Sequence, residues 1–320
     1  MSAPLRAEAY LAPETLAQLA PFELRARMLV DGLGSGMHAS PRQGQAVEFA
    51  EHRPYTPGES LRHLDWKVFG RSDKLYLKRF QQETNLDIHV LVDASGSMRF
   101  GTLGTKDGWG GTRTGRSAKW TKFDHATAAA AAMAFLGLSQ RDRVSTEMFG
   151  PTLVAATRCS NSQGHWRAIV QCLATNAVDG VANLPRAVDE LLARGTHRSL
   201  VVIVSDFLMP RQQVRDSLAR LRHRGHDVIL VRVLDREEIR FEIDEDAPFT
   251  GLEGEAAVEV DARAVREAYL QVLAEDERDL ERLVRGFGFD LVRLDTHDSV
   301  GPALAALLAR RDMLMRGGGS

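Results

Sequence analysis

The chain has 320 residues, 44% of them hydrophobic and 26% charged, with a net charge of -2. These proportions suit a globular protein with a substantial core, and the near-neutral balance excludes a general pull toward nucleic acid or anionic lipid. The two cysteines, Cys159 and Cys172, exclude a disulfide scaffold and suit a reducing compartment; with His165 they lack a fourth ligand and a recognised zinc spacing.

Residues 1–33 are interrupted by Pro4, Pro13 and Pro21 and show neither the basic head nor the apolar centre of a signal peptide. The longest small, apolar run, from Ala126 to Leu138, is well short of the roughly 20 residues a membrane span requires, so a soluble, cytoplasmic protein is expected. A helix near Pro21–Asp31 leads to short strands and turns from Val47 to Phe80, punctuated by Tyr55-Thr56-Pro57-Gly58. Because Val68, Phe69, Leu75, Tyr76, Leu77 and Phe80 need burial, this segment is expected to pack on the rest of the chain rather than float free.

From Leu86 onward, strands alternate with helices. Strands are predicted at Leu86–Asp93, Arg143–Phe149, Ser199–Ser205, Asp227–Leu234 and Asp290–Leu294. Helices are predicted at Phe123–Leu138, Leu184–Arg194, Arg211–Arg224, Ala262–Gly286 and Val300–Met313. This order implies an α/β fold, a doubly wound and mostly parallel sheet, with the apolar run from Ser199 to Val204 as a central strand. The alanine-rich helix suits close packing on that sheet; Asp261 caps the long helix, and Gly286 and Gly288 end it. The expected division is a helix and β-rich segment at 1–85, the α/β domain at 86–314 and a flexible tail at 315–320. Two connections stand out by charge. Arg99 to Lys122 is basic and glycine-rich, hence mobile, and Asp235 to Glu259 sets ten acids against Arg236 and Arg240. Each is a solvated loop or a partner surface.

The first strand runs into Asp93-Ala94-Ser95-Gly96-Ser97, a D-x-S-x-S pattern at the carboxyl end of a sheet, where α/β proteins place their ligands. Asp93, Ser95 and Ser97 offer only hard oxygens, which suit Mg²⁺ or Mn²⁺ rather than zinc. Ser205-Asp206 ends the strand expected beside it, and a third polar loop lies between Asp179 and Leu184. The arrangement resembles the von Willebrand factor A domain with its metal-ion-dependent adhesion site. The resemblance implies direct coordination by the two serines, with Asp93 and Asp206 mostly holding the cation's waters. Neutral hydroxyls leave such a cation electrophilic, so a partner's carboxylate can fill its open position. Where the family reads G-x-T-[DN]-L, this chain has Gly180-Val181-Ala182-Asn183-Leu184. Ala182 cannot ligate, which leaves Asp179 or Asn183 as substitutes, a weakened or lost cation, or a purely structural turn.

The segment Glu48-Phe49-Ala50-Glu51-His52-Arg53-Pro54-Tyr55-Thr56-Pro57-Gly58-Glu59-Ser60-Leu61-Arg62-His63-Leu64-Asp65-Trp66 resembles the signature of the bacterial family called domain of unknown function 58. The likeness extends through Lys78-Arg79-Phe80, Asp93–Met98, Ser205-Asp206-Phe207, Phe249–Glu255 and Leu304–Arg311, with Glu59 where the family has aspartate. Trp66 is expected in the core, and Arg53, Arg62 and Asp65 in a buried ion-pair network. The resemblance implies a non-catalytic adaptor paired with a MoxR-type AAA+ ATPase in assembly, activation or quality control of client complexes. Many relatives carry membrane helices ahead of the signature; the sequence shows none, which implies action in the cytosol or peripheral docking on a membrane-bound partner. Two competing readings are weaker. Ser95 or Ser97, Asp206 and His297 follow the chain order of α/β-hydrolases but lack a G-x-S-x-G elbow. Trp109 and Trp120 interleave with basic residues, as in a single-strand nucleic-acid platform, yet no nucleic-acid-binding motif accompanies them.

Overall fold

The structure is a computed structural model and describes residues 47–54, 66–72, 75–82, 86–104, 112–114, 117–162, 164–174, 179–195, 197–242, 248–254, 258–259 and 261–317. The helix expected near Pro21–Asp31, the Tyr55–Gly58 turn, Arg62, Asp65 and Trp109 lie outside these residues. Two compact units meet in sequence between Asn85 and Leu86.

In the smaller unit, β1 (Val47–Pro54) pairs antiparallel with β2 (Tyr76–Gln82), with a register shift between Phe49 and Glu51. Helix α1 (Trp66–Ser72) separates them in sequence. Trp66 does not fill a core: it is 64% exposed at the start of α1. Its ring meets Phe69 edge-on, with centroids 6.2 Å apart, so it covers its own helix instead. Leu75 is likewise exposed.

Among the described residues, the larger unit begins with β3 (Asp87–Asp93), then the short strands β4 (Leu103–Gly104), β5 (Thr112–Thr114) and β6 (Ser117–Trp120), then α2 (Lys122–Ser139). Next come β7 (Arg143–Phe149), β8 (Leu153–Ala156), α3 (His165–Leu173), α4 (Leu184–Ala193), β9 (Leu200–Ser205) and α5 (Arg211–His223). The chain continues through β10 (Asp227–Leu234), α6 (Arg236–Arg240), β11 (Pro248–Phe249), β12 (Val258–Glu259), α7 (Ala262–Gly286), β13 (Asp290–Asp295) and α8 (Val300–Gly317). Helix α8 thus runs into the segment expected to be a flexible tail.

Six strands form one sheet in the order β13-β10-β9-β3-β7-β8, parallel except for β8. Alternate residues of β3 face opposite ways, as the two-residue period requires. Val90 and Val92 join a core with α2, α3 and α8, while Leu91 joins a second core with α4, α5 and the end of α7. The fold is therefore a doubly wound α/β domain. Small residues let α2 lie close to the sheet: a side chain at Gly137 would meet Ile88 Cδ1 at 2.7 Å. A capping box between Thr121 and Asp124 starts that helix, and Asp261 caps α7 through the backbone amides of Arg263 and Ala264.

The basic connection is not simply a mobile loop. It contains a three-stranded antiparallel sheet, β4-β6-β5. Trp120 packs against the core and donates from Nε1 to His125 Nδ1 at 3.2 Å, so it offers no free stacking platform. Lys122, which the sequence places in a stretch of solvated charges, is 0% exposed.

Candidate functional site

The two central neighbours β3 and β9 end side by side and deliver Asp93, Ser205 and Asp206 to the same edge. Asp93 is 0% exposed. Its Oδ1 accepts the Ser95 amide proton at 2.9 Å and its Oδ2 accepts the Ser205 hydroxyl at 2.6 Å. Ser205 Oγ in turn accepts from the Phe207 amide at 2.9 Å. Phe207 adopts φ 55°, a left-handed conformation unfavourable for a bulky residue, and its fully buried ring holds the turn there. That turn aims Asp206 inward, where Oδ1 accepts from the Leu208 amide at 3.1 Å and Oδ2 from Lys122 Nζ at 2.8 Å.

The Ser95 and Ser97 hydroxyls lie 3.2 Å apart. Backbone hydrogen bonds zip this turn to the third loop: Asp179 N–H donates to Ala94 O at 3.1 Å and Gly96 N–H to Gly180 O at 2.8 Å. Ala182 is buried in that loop. Asn183 Oδ1 accepts from the Arg186 amide as the cap of α4, and Asp179 Oδ1 accepts from the Gly180 amide. The Asp179 side chain is 87% exposed, with Arg99 4.0 Å away.

Three charged residues at this edge escape a reading of the sequence. Lys122 Nζ bridges Asp206 and Glu238, the latter at 2.7 Å. Glu238 is held by a capping box with Asp235 at the start of α6. Glu253 Oε1 accepts from the Ser97 amide at 3.2 Å. Its loop passes so close that a side chain at Gly96 would meet Leu252 O at 2.3 Å. The only sequence signal for Glu253 is its place in the family-like Phe249–Glu255 stretch.

Burial, then the neighbouring Asp206 charge, lifts the Asp93 carboxyl well above the usual range, against the hydrogen bonds from Ser205 and Ser95. Burial likewise raises Glu238. For Lys122 burial works the other way, but Asp206 and Glu238 outweigh it and raise the ammonium's pKa. The buried Asp93 carboxylate has hydrogen bonds but, among the described residues, no cationic side chain on it. With the Ser95 and Ser97 hydroxyls it offers only oxygen, a donor set that would suit a hard divalent cation; Asp206, the fourth candidate ligand, is already paired with Lys122.

The hydrolase constellation does not form. His297 Nδ1 faces Thr296 and Asp295, while Asp206 is bound to Lys122 and the Leu208 amide. His165 Nε2 contacts Val144 O at 2.8 Å and Cys172 Sγ contacts Thr146 O at 3.6 Å, so each has a backbone partner.

The class the fold and site define is a doubly wound α/β domain with D-x-S-x-S at the end of one central strand and Ser-Asp at the end of the next, the arrangement that resembles the von Willebrand factor A domain. More particularly, the chain belongs to the family described as "Protein of unknown function DUF58", which matches residues 51–279. Uncharacterized proteins of Mycobacterium bovis and Mycobacterium tuberculosis are 28% identical over 288 residues, covering 89% of this chain and 86% of theirs. Among solved structures, the chain is similar to the conserved hypothetical protein BatB from Bacteroides thetaiotaomicron. That likeness has a TM-score of 0.43 and 12% identity, and covers 72% of this chain and 100% of the other. Manganese-loaded TRAP protein from Plasmodium vivax gives a TM-score of 0.32 and 16% identity, covering 46% of this chain and 57% of that one.

Proposed function

We propose that this protein is a non-catalytic adaptor that engages a partner carboxylate through Mg²⁺ or Mn²⁺ and works with a MoxR-type AAA+ ATPase in assembly or quality control of protein complexes. The observation that carries the cation part is the Ser95–Ser97 hydroxyl pair, 3.2 Å apart beside the buried Asp93. Asp93, Ser95, Ser97 and Asp206 would hold the ion, which supplies an electrophilic position for an external carboxylate. The chain's own residues set how strongly. Lys122 offsets Asp206, Ser205 and the Ser95 amide fix the Asp93 carboxylate, and Ala182 withholds a hydroxyl. The ATPase partnership rests on the family resemblance. No described helix is long and apolar enough to cross a membrane, and the proposed place of action is the cytosol or the periphery of a membrane-bound partner.

Two measurements test the parts separately. Millimolar Mg²⁺ or Mn²⁺ is expected to raise the melting temperature by linkage, and Ser95→Ala to abolish the rise. A melt indifferent to both ions and to chelator refutes the cation. Affinity capture of a MoxR-type ATPase by the chain, in Mg²⁺ and in chelator, tests the partner. Failure to recover the ATPase in either condition refutes that part alone.

A further inference from the structure

At the opposite, amino-terminal end of β3, side chains of a different chemistry converge. His89 stands directly across from Ser145 in the β3–β7 register, and its Nδ1 is 2.7 Å from the Ser145 hydroxyl. The ring is 3% exposed, and Nε2 has no hydrogen-bond partner among the described residues. Asp87, His89 and Cys159 each bring one ligand atom, all within 4.8 Å of one another. They line a cavity of about 580 Å³ together with Glu147, Arg194 and His197. Glu147 gives one carboxylate oxygen to Arg194 at 2.7 Å and leaves Oε2 buried and unpaired. Two orphaned polar atoms in one cavity are a large desolvation cost for a site with no ligand.

We infer that Asp87, His89 and Cys159 form a second metal site, for a borderline transition metal of which Zn²⁺ is the type, with water or Glu147 in the fourth position. Imidazole, thiolate and carboxylate are the zinc donor set, and are foreign to Mg²⁺. In the tautomer in which Nδ1–H donates to the Ser145 hydroxyl oxygen, the ring is fixed and Nε2 keeps its lone pair for the metal, the usual arrangement behind a histidine ligand. Tetrahedral zinc holds its ligand atoms roughly 3.3–3.8 Å apart, so the cluster closes by about 1 Å on binding. Cys159 lies between β8 and α3 beside Ser160, which bridges to Val144 of β7, so rotation of the Cys159 side chain rather than of its backbone supplies that movement. Arg143 pairs with Asp87 at 3.2 Å, but with its side chain 46% exposed it can swing into solvent. His89 and Asp93 are four residues apart, about 13 Å along the strand, which separates this site from the Asp93 site.

The test is titration of the full chain with Co²⁺ and then Zn²⁺, in excess Mg²⁺ to occupy the Asp93 site. One equivalent of Co²⁺ is expected to give a near-ultraviolet thiolate-to-metal band that Zn²⁺ displaces. The band disappears in Cys159→Ser and persists in Cys172→Ser. Cys159→Ser and Asp87→Asn weaken Zn²⁺ binding by about 100-fold or more, and Ser145→Ala by about 10- to 100-fold. In the unmutated chain Zn²⁺ also shields Cys159 from alkylation, a readout that needs no variant to fold. Absence of the thiolate band, unchanged alkylation, or Zn²⁺ binding of equal strength in Cys159→Ser overturns the inference.

Discussion

Lys122→Met is the perturbation that most directly tests the charge balance at the Asp93 edge. Methionine nearly matches the volume of the lysine side chain, so packing changes little and the loss is that of the ammonium. Two carboxylates then remain buried without it: Asp206, whose side chain is 2% exposed, and Glu238, at 17%. Removing one partner of a buried ion pair costs about 3–5 kcal/mol. At roughly 2–4 °C per kcal/mol for a domain of this size, the melting temperature should fall by about 10 °C. Urea unfolding gives the same quantity as a lower midpoint with an unchanged slope. Glu238→Gln in the same chain removes one stranded charge, so the double variant should be more stable than Lys122→Met alone. A melting temperature for Lys122→Met within about 2 °C of the unmutated chain, on the same scale, would show that solvent reaches these groups and that the triad is energetically idle.

Two further outcomes rest on burial and close approach. Burial pushes His125 down to about 4 from 6.5, against the pull of Asp295 and Asp298. The folded value is the lower one, so the unfolded chain takes up the proton first. Stability from this group is full above pH 6.5 and is lost as pH falls toward 4, by about 3 kcal/mol. His125→Gln, which can still accept from Trp120, should flatten that part of a stability–pH curve; an unaltered slope there would contradict the assignment. Gly96→Ala would place a carbon 2.3 Å from Leu252 O, which should cost about 1–3 kcal/mol or displace the 248–254 loop. Hydrogen exchange at the Ser97 amide, now bound to Glu253, distinguishes displacement from strain.

The parts of the fold that are readable in the sequence are those whose signal is one-dimensional. Arg143–Phe149, Asp227–Leu234 and Ala262–Gly286 have the predicted bounds because apolar runs or helical periodicity end at charges, glycine or a capping aspartate. Helix α3 is not legible because Gly164 stands at its N-cap without a side-chain bond, and β8 because it is a four-residue strand with no fully buried residue. At the site, Asp93, Ser95 and Ser97 sit on one turn and Ser205-Asp206 on the next strand, so a local motif suffices. Lys122 finds Asp206 across 84 residues and Glu238 across 116. In sequence it is one lysine in a basic stretch, and no composition argument distinguishes an ammonium that turns inward from those that do not. His89 is invisible for the opposite reason. On an apolar strand it reads as core, and only the sheet brings Ser145 beside it and Cys159 within reach.

If the proposed cation site binds, Lys122 also changes which residue would govern its affinity. The sequence points to Ala182, where a missing hydroxyl removes one neutral ligand. The structure adds an ammonium 2.8 Å from Asp206, and any cation held through Asp206 must work against it. At a separation of about 5 Å and an effective dielectric near 20, that repulsion is on the order of 3 kcal/mol per unit of cation charge. A hydroxyl restored by Ala182→Thr is neutral and is worth about 1 kcal/mol after desolvation. Calorimetric titration with Mg²⁺ should therefore show tighter binding in both variants, with the gain in Lys122→Met at least tenfold beyond that in Ala182→Thr, a difference of about 1.4 kcal/mol or more. The reverse order would return control of the site to the missing hydroxyl and leave Lys122 as a structural clamp between Asp206 and Glu238.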